Sequence, residues 1–254
     1  MLIYKSLKLI KKNYFYFVFI FFFSTNLKAN SVEAVYDIKW NNLVLGSLVW
    51  EFKLNEQNYE FKINLKNSDF LSKIYPFYGE YYSKGLIKKT NFIPEKYYSI
   101  WDTKKKKKVI KIFFANQKVF KLSLDPEQKI DPYINYYNLF DTSDPISASL
   151  ELIINNDGRL IKNVFDGRRV YNISSGNGVR KNFKNKDFSI SGFEYDMEIS
   201  QYKNVWKDNN KKDLKKITVL TGEFSEGLIL PISFKITTKR VVLKIIYKNH
   251  QNLD

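Results

Sequence analysis

The chain has 254 residues, with 42 Lys and Arg against 26 Asp and Glu, a formal net charge of +16, one His and no Cys. The absence of Cys excludes disulfides, thiol nucleophiles and Cys-based zinc or iron–sulfur sites. The single His250 lies close to the C-terminus, which excludes a His-rich metal site and is a poor position for the base of a catalytic triad. The sequence therefore predicts no metal, no cofactor and no enzymatic activity.

The excess of positive charge does not by itself indicate nucleic-acid binding. Lys, Asn, Ile, Phe and Tyr are all abundant and are all encoded by A/T-rich codons, so a biased genome explains the charge without a polyanionic partner. Net charge informs solubility and non-specific association rather than fold. With 44% hydrophobic residues, 10 Gly and 6 Pro, the composition is that of a globular protein.

The N-terminus has the three-part layout of a secretory signal peptide. Lysines precede an apolar run from Tyr14 to Phe23, and the polar stretch after it ends on the small residue Ala29. The run is about half the ~20 residues that a membrane span needs. We therefore predict a signal peptide at 1–29, a single β-rich domain at 30–254 and a periplasmic location, with an uncleaved inner-membrane anchor as the alternative. Export leaves lipids or other envelope amphiphiles, an anionic membrane surface and envelope proteins as candidate partners. It argues against nucleic acid as a partner.

Apolar and polar residues alternate repeatedly after residue 30. In one run Trp50, Phe52 and Leu54 alternate with Glu51 and Lys53. Such alternation indicates strands with one face on a core and the other in water. Repeated over about ten to twelve segments with Asn- and Gly-rich turns between them, it predicts a mainly β fold with a single antiparallel sheet, barrel-like or strongly curved.

One segment, 144–155, has the signals of a helix packed on this sheet. Asp144 is a preferred N-cap, Pro145 suits the first helical position, and neither Gly nor a further Pro interrupts residues 146–155. An apolar stripe is predicted to seal one side of the sheet; it consists of Ile146, Leu150, Ile153 and Ile154. A weaker helical turn is predicted at 69–75, and 125–143 is predicted to be an irregular crossing.

Several short segments together carry a family resemblance. They are Tyr36-Asp37-Ile38-Lys39-Trp40, Ile74-Tyr75-Pro76-Phe77, Phe92-Ile93-Pro94-Glu95-Lys96-Tyr97, Asp144-Pro145-Ile146-Ser147-Ala148, Val164-Phe165-Asp166-Gly167-Arg168-Arg169 and Leu230-Pro231-Ile232. In this order and spacing the chain resembles the exported bacterial proteins of domain-of-unknown-function family 3108. The resemblance implies an envelope location and a β-rich fold, and it supplies no activity, cofactor or catalytic residue.

The segment Asp166-Gly167-Arg168-Arg169 has two interpretations. Asp-Gly is a common centre of a two-residue hairpin turn. Alternatively, the arginines contact a ligand, since a guanidinium can bind a carboxylate or phosphate through two hydrogen bonds, and Asp166 could orient it. Adjacent residues of a strand face opposite sides, so at most one of Arg168 and Arg169 is expected to face inward.

Five consecutive lysines, from Lys104 to Lys108, also have two interpretations. They can form a solvated hairpin turn between Ile100-Trp101 and Val109-Ile110, because charge runs are usually exposed. The alternative is docking to an anionic membrane surface, to which Lys104, Lys105, Lys106, Lys107 and Lys108 would each contribute about 1 kcal/mol.

An aromatic cluster lies in a stretch that we predict to be loop-like, at 75–82. It is expected either to fold over one end of a barrel or to form the rim of a ligand site, because Tyr and Trp combine an apolar body with a polar group. The ligand-site candidates are Tyr75, Phe77 and Tyr82, together with Trp40, which is predicted to face inward.

Two functions remain open at this point. The first is binding of an apolar or amphipathic, lipid-like ligand within the curved sheet, because a sheet that curls around apolar side chains can enclose a cavity. The second is an envelope assembly or interaction protein with a solid core and no small-molecule ligand. Both are non-enzymatic, since no segment combines a nucleophile with a base.

Overall fold

The computed structural model describes residues 30–74, 76–155, 160–184, 189–207, 213–224 and 228–253, which fold mainly as β-strands. The predicted signal peptide at 1–29 lies outside the described residues. The strands are β1 (Asn30–Trp40), β2 (Leu43–Leu54), β3 (Asn58–Asn67), β4 (Phe77–Lys88), β5 (Asn91–Thr103), β6 (Lys106–Ala115), β7 (Lys118–Asp125), β8 (Thr142–Ser143), β9 (Ile161–Phe165), β10 (Arg169–Ser175), β11 (Val179–Lys184), β12 (Ser189–Asn204), β13 (Leu214–Glu223), β14 (Ile229–Thr238) and β15 (Val242–Asn252). The helices are α1 (Asp69–Ile74), α2 (Pro145–Ile154) and a 3-10 helix at Tyr136–Asn138.

The strands of the described residues form one continuous, nearly closed sheet. Its order is β7-β6-β5-β4-β3-β2-β1-β15-β14-β13-β12-β10-β9-β8, and β11 pairs with β12 beside β10. Neighbouring strands are antiparallel except for the short parallel pair β8–β9. The predicted mainly β, antiparallel, barrel-like fold is confirmed. The strand count exceeds the prediction partly because β11 is mostly exposed and shows no apolar alternation.

The barrel has a seam between β7 and β8, the two edge strands of the sheet. Among the described residues β7 and β8 form no ladder with each other. Their ends are linked by one hydrogen bond, in which the backbone N–H of Thr142 donates to the carbonyl of Gln117 at 2.9 Å. The irregular segment 126–141 connects β7 to β8. Its 3-10 helix contacts β7, and the Tyr136 ring stacks on that of Phe165 at the end of β9, with centroids 5.5 Å apart. The predicted irregular crossing thus runs along the seam.

Aromatic rings fill much of the described interior. The centroid of the Trp50 ring lies 6.4 Å from that of Tyr36 and 6.2 Å from that of Phe61. Phe52 stacks on Phe61 with centroids 5.6 Å apart. Such pairs contribute about 0.5–1.5 kcal/mol each beyond the area they bury. These contacts form a packed core rather than an open space.

Helix α2 begins and ends where its signals predict. The Asp144 carboxylate accepts hydrogen bonds from the backbone N–H of Ile146 at 2.8 Å and of Ser147 at 3.1 Å, and Pro145 occupies the first turn. The helix differs from the prediction in its burial, because Ala148 and Leu152, which lie outside the predicted stripe, are also fully buried. It packs on β4 and β5 and also on β9 and β10. It therefore lies inside the curve of the sheet and bridges both sides of the seam.

Candidate functional site

One end of the barrel collects the features that the sequence singled out. Because neighbouring strands are antiparallel, the hairpins β1–β2, β5–β6, β9–β10 and β14–β15 all turn at this end. Helix α1 lies there too, and the backbone N–H of Ser68 just before it donates to the carbonyl of Leu45. We call this the basic end, because its exposed cations include Lys73, Lys104, Lys105, Lys106, Lys107, Lys207, Lys239 and Arg240.

The lysine run forms the β5–β6 hairpin, as one of its two interpretations predicts. The hairpin is tighter than predicted: β5 continues to Thr103 and β6 starts at Lys106. The Thr103 hydroxyl closes the turn by donating to the carbonyl of Lys106 and accepting its N–H. Lys104 to Lys107 are exposed, whereas Lys108 is partly buried. Burial, and then the positive charge of Arg168, lowers the pKa of Lys108.

The Asp166-Gly167-Arg168-Arg169 segment forms a hairpin turn between β9 and β10. Its centre is Gly167-Arg168 rather than the predicted Asp-Gly pair, because the N–H of Asp166 donates to the carbonyl of Arg169 at 3.2 Å. Gly167 has φ +86°, and Asp166 accepts the N–H groups of Arg168 and Arg169 at 2.8 and 2.7 Å. The Asp166 carboxylate therefore stabilises the turn itself.

The two arginines of this turn differ in environment. Arg169 is exposed, its Nη1 donates to Asp166 at 3.2 Å, and its guanidinium lies 5.9 Å from the Tyr202 ring. Arg168 is partly buried, and its Nε and Nη2 are inaccessible to solvent and lack a hydrogen-bond acceptor in the described structure. Burial is the main cause that lowers the pKa of Arg168. Arg168 is therefore the arginine of this turn whose buried donors lack a partner in the described structure.

We expect Gly167→Ala to destabilise the protein by about 2 kcal/mol, because the site requires a positive φ and close packing. An added Cβ would lie 2.5 Å from Cγ2 of Ile110. Gly176→Ala is the matched control, since its Cβ would meet nothing closer than 3.9 Å, and we expect it to cost nothing. Urea unfolding of both variants measures the difference; equal stability of the two would contradict a locked turn.

The predicted aromatic loop is wrong: residues 77–82 belong to strand β4. Alternation along β4 separates its rings. The Phe77 ring lies 4.4 Å from that of Trp101 at the basic end, whereas Tyr82 faces outward and takes no part in the basic end. Tyr75 lies outside the described residues.

Tyr82 instead lines an open groove of about 440 Å³ on the outer wall of β4, β5 and β6. Lys96 lies 5.9 Å from the ring centroids of both Tyr82 and Phe113 there. Contacts between a cation and exposed rings contribute about 0.5–1 kcal/mol. They explain how aromatic side chains occupy the outer face of the strand.

The basic end also exposes apolar side chains, most of which the sequence analysis missed. Trp40, predicted to face a ligand inside the sheet, lies at the end of β1 and is 45% exposed. Phe70 on α1 is 68% exposed. Leu43, Val44 and Trp101 are likewise exposed at this end. The sequence did contain one signal of this exposed apolar surface. Two consecutive apolar residues, Leu43 and Val44, directly follow the turn Asn41-Asn42 and break the alternation at the tip of a hairpin.

A second polar cluster lies deep inside the barrel, beside the start of α2. The second carboxylate oxygen of Asp144 accepts hydrogen bonds from Ser83 Oγ at 2.8 Å and from Ser147 Oγ. Tyr59 is hydrogen-bonded to Ser147 at 2.7 Å. Burial raises the pKa of Asp144, and these hydrogen bonds oppose the shift. The four side chains form one hydrogen-bonded network, which positions the helix.

Neither a metal site nor a membrane-spanning helix is found in the part of the chain that the structure describes. No three His, Asp or Glu side chains there converge as a metal-binding group. The described helices are too short or too polar to cross a bilayer.

Comparison with known proteins establishes a likeness of fold only. No protein-family model matches the chain, and no curated protein matches it. The chain is similar to a crystal structure of a β-barrel-like protein of domain-of-unknown-function family DUF1849 from Brucella abortus. The TM-score is 0.51 at 12% identity, over 90% of this chain and 100% of that one. The barrel-like architecture is thus shared with a solved protein, and the resemblance to family 3108 stays a prediction.

Proposed function

We propose that the protein is a non-enzymatic component of the cell envelope that binds anionic, lipid-like amphiphiles with the basic end of its barrel. The observation that carries the proposal is the combination, at one end, of exposed apolar tips and exposed lysines. Trp40, Leu43 and Phe70 are exposed at the same end of the barrel as the β5–β6 hairpin, which carries Lys104 and Lys105.

The two kinds of side chain suit a lipid surface for different reasons. Indole rings favour the region between headgroups and acyl chains, where one face is apolar and the N–H is hydrated. Apolar side chains beside them gain free energy by entering the acyl boundary. Each Lys near an anionic surface contributes about 1 kcal/mol, and salt weakens this attraction.

The binding surface is proposed at the end of the barrel rather than within it. Rings of Tyr36, Trp50 and Phe61 and the buried helix α2 occupy the described interior. A ligand enclosed there would have to displace these contacts. The hairpin tips at the basic end, in contrast, are already exposed.

Vesicle binding tests the proposal, using the chain from residue 30 onward so that the apolar run at 14–23 cannot itself anchor the protein. We expect co-sedimentation with phosphatidylglycerol-containing vesicles, little with pure phosphatidylcholine, and loss of binding at high salt. Lys104→Gln combined with Lys105→Gln is expected to lower the partition coefficient about 30-fold, since two attractions of about 1 kcal/mol are removed. Trp40→Ser combined with Phe70→Ser is expected to lower it as well.

Matched variants elsewhere on the barrel separate position from charge and hydrophobicity. Lys88→Gln combined with Lys121→Gln removes the same charge from exposed positions away from the basic end. Phe120→Ser removes an apolar side chain that is 71% exposed on β7. If these controls reduce binding as much as the variants at the basic end, the proposed surface is wrong.

A second candidate function is an envelope assembly or interaction protein with a solid core. The segment along the seam favours it, because Tyr133, Tyr137 and Phe140 are exposed there. Exposed apolar patches of this kind mark protein interfaces. This function becomes the better proposal if no vesicle composition binds the protein.

A further inference from the structure

Arg168, at the basic end, has two buried hydrogen-bond donors without an acceptor in the described structure. Its Nε and Nη2 are buried and have no acceptor within the described structure, although a guanidinium normally pairs with acceptors when it leaves water. The side chain as a whole is only partly buried, so its other atoms reach solvent at the barrel end. A buried donor without a partner calls for an explanation.

The nearest carboxylate is already engaged. Asp166 accepts the backbone N–H groups of Arg168 and Arg169 on one oxygen and the Nη1 of Arg169 on the other. It contributes a favourable charge near Arg168 without a hydrogen bond to its guanidinium. An acceptor for Nε and Nη2 of Arg168 must therefore come from outside this turn.

Apart from Asp166, the charged groups near Arg168 are cations. Gly167 packs against Ile110 on β6, and alternation places Lys108 on the same face, two residues earlier. Lys108 is partly buried, has no ion pair in the described structure, and is repelled by Arg168, Lys106 and Lys207. An anion bound among these cations would offset their mutual repulsion.

The backbone holds Arg168 in a fixed position. The N–H of Val205 donates to the carbonyl of Arg168 at 2.9 Å, and the indole N–H of Trp206 donates to the carbonyl of Gly167 at 3.2 Å. The turn is thus hydrogen-bonded on two sides before any ligand arrives. Such preorganisation lowers the entropy that binding costs.

We propose that Arg168 and Lys108 form a binding site for a phosphate group. A guanidinium matches two phosphate oxygens, and a neighbouring ammonium adds a second positive charge for a group that carries up to two negative ones. The inference rests on the proposed function, in that the phosphate of an anionic lipid headgroup is the group held here. The same site would take a soluble phosphate monoester, since the chemistry is shared.

Calorimetric titration of the chain from residue 30 onward, which carries the whole described fold, tests the site. The probes are inorganic phosphate, glycerol 3-phosphate and dihexanoyl phosphatidic acid. We expect Arg168→Gln and Lys108→Gln each to weaken binding of the tightest probe at least about tenfold, as for the loss of one charge-assisted hydrogen bond. Lys88→Gln and Lys121→Gln remove the same charge from exposed positions away from the basic end and are expected to change binding less than about twofold.

The outcomes separate the source of the phosphate from the existence of the site. Tighter binding of the lipid than of the two soluble probes assigns the site to a headgroup, and equal binding assigns it to free phosphate. Equal losses in all four variants, or no binding of any probe, overturn the proposal. Thermal unfolding supplies a second readout, because phosphate should raise the Tm of the parent and not that of Arg168→Gln.

The same variants distinguish this site from the lipid-binding surface. Trp40→Ser combined with Phe70→Ser is expected to lower vesicle binding and leave the affinity for glycerol 3-phosphate unchanged. Arg168→Gln is expected to weaken binding of glycerol 3-phosphate, while vesicles still bind through the exposed apolar tips and lysines. Failure of one proposal is therefore visible independently of the other.

Discussion

Asp144→Ala is expected to lower the free energy of unfolding by about 4 kcal/mol, the sum of a lost helix cap and buried groups left without an acceptor. One carboxylate oxygen caps α2 through the N–H groups of Ile146 and Ser147, and the other accepts the hydroxyls of Ser83 and Ser147. Asp144 is fully buried, so water cannot replace it. Urea unfolding measures the loss as a lower midpoint with an unchanged m-value.

Asn135→Ala is the matched control for this cap. Asn135 caps the exposed 3-10 helix by accepting the N–H of Tyr137 at 3.1 Å. Its removal is expected to cost at most about 1 kcal/mol, because solvent reaches the freed N–H. A loss for Asp144→Ala no larger than that of the control would mean that the buried network does not position α2.

Glu151→Ala is expected to cost about 3–5 kcal/mol, as is typical when one partner of a buried ion pair is removed. Glu151 is 1% exposed, its Oε1 lies 2.6 Å from Nζ of Lys162, and its Oε2 accepts the N–H of Phe92 at 3.2 Å. The truncation leaves the Lys162 ammonium and the Phe92 N–H without their acceptors. Thermal and urea unfolding both report the loss.

Two further variants test whether the charge or the side chain matters. Glu151→Gln combined with Lys162→Met removes both charges and keeps an acceptor for Phe92, so most of the stability should return. Asp102→Ala breaks an exposed contact of 4.0 Å with Lys107 and is expected to cost at most about 1 kcal/mol. A double variant as unstable as Glu151→Ala would contradict the ion-pair explanation.

Local signals predicted the fold well because they are set by neighbours in sequence. Alternation at Leu48, Trp50 and Phe52 identified the inward face of β2, whose residues are buried. Asp144 and Pro145 identified the start of α2 to the residue. The burial of α2 on all sides was not predictable, since it results from the curvature of a sheet whose strands are distant in sequence.

The candidate site was predictable only in part, for the same reason. Alternation on β4 was hidden because aromatic residues occupy both faces, with Tyr82 outward beside Lys96. Arg168 and Arg169 could not be told apart, because a shift of one residue decides which of them lies at the centre of the turn. Lys108 joins Arg168 only through the packing of Gly167 on Ile110, and no local pattern encodes that contact.

The proposed phosphate site spans the seam of the barrel. A hydrogen-bonded ladder fixes the distance between strands, whereas side-chain packing can rearrange, so the perimeter of the barrel is least constrained between β7 and β8. Lys108 belongs to β6 on one side of this gap, and Arg168 comes just after β9 on the other. A phosphate bound by both residues would therefore link the two sides of the seam, and ligand binding would restrict the opening of the barrel between β7 and β8.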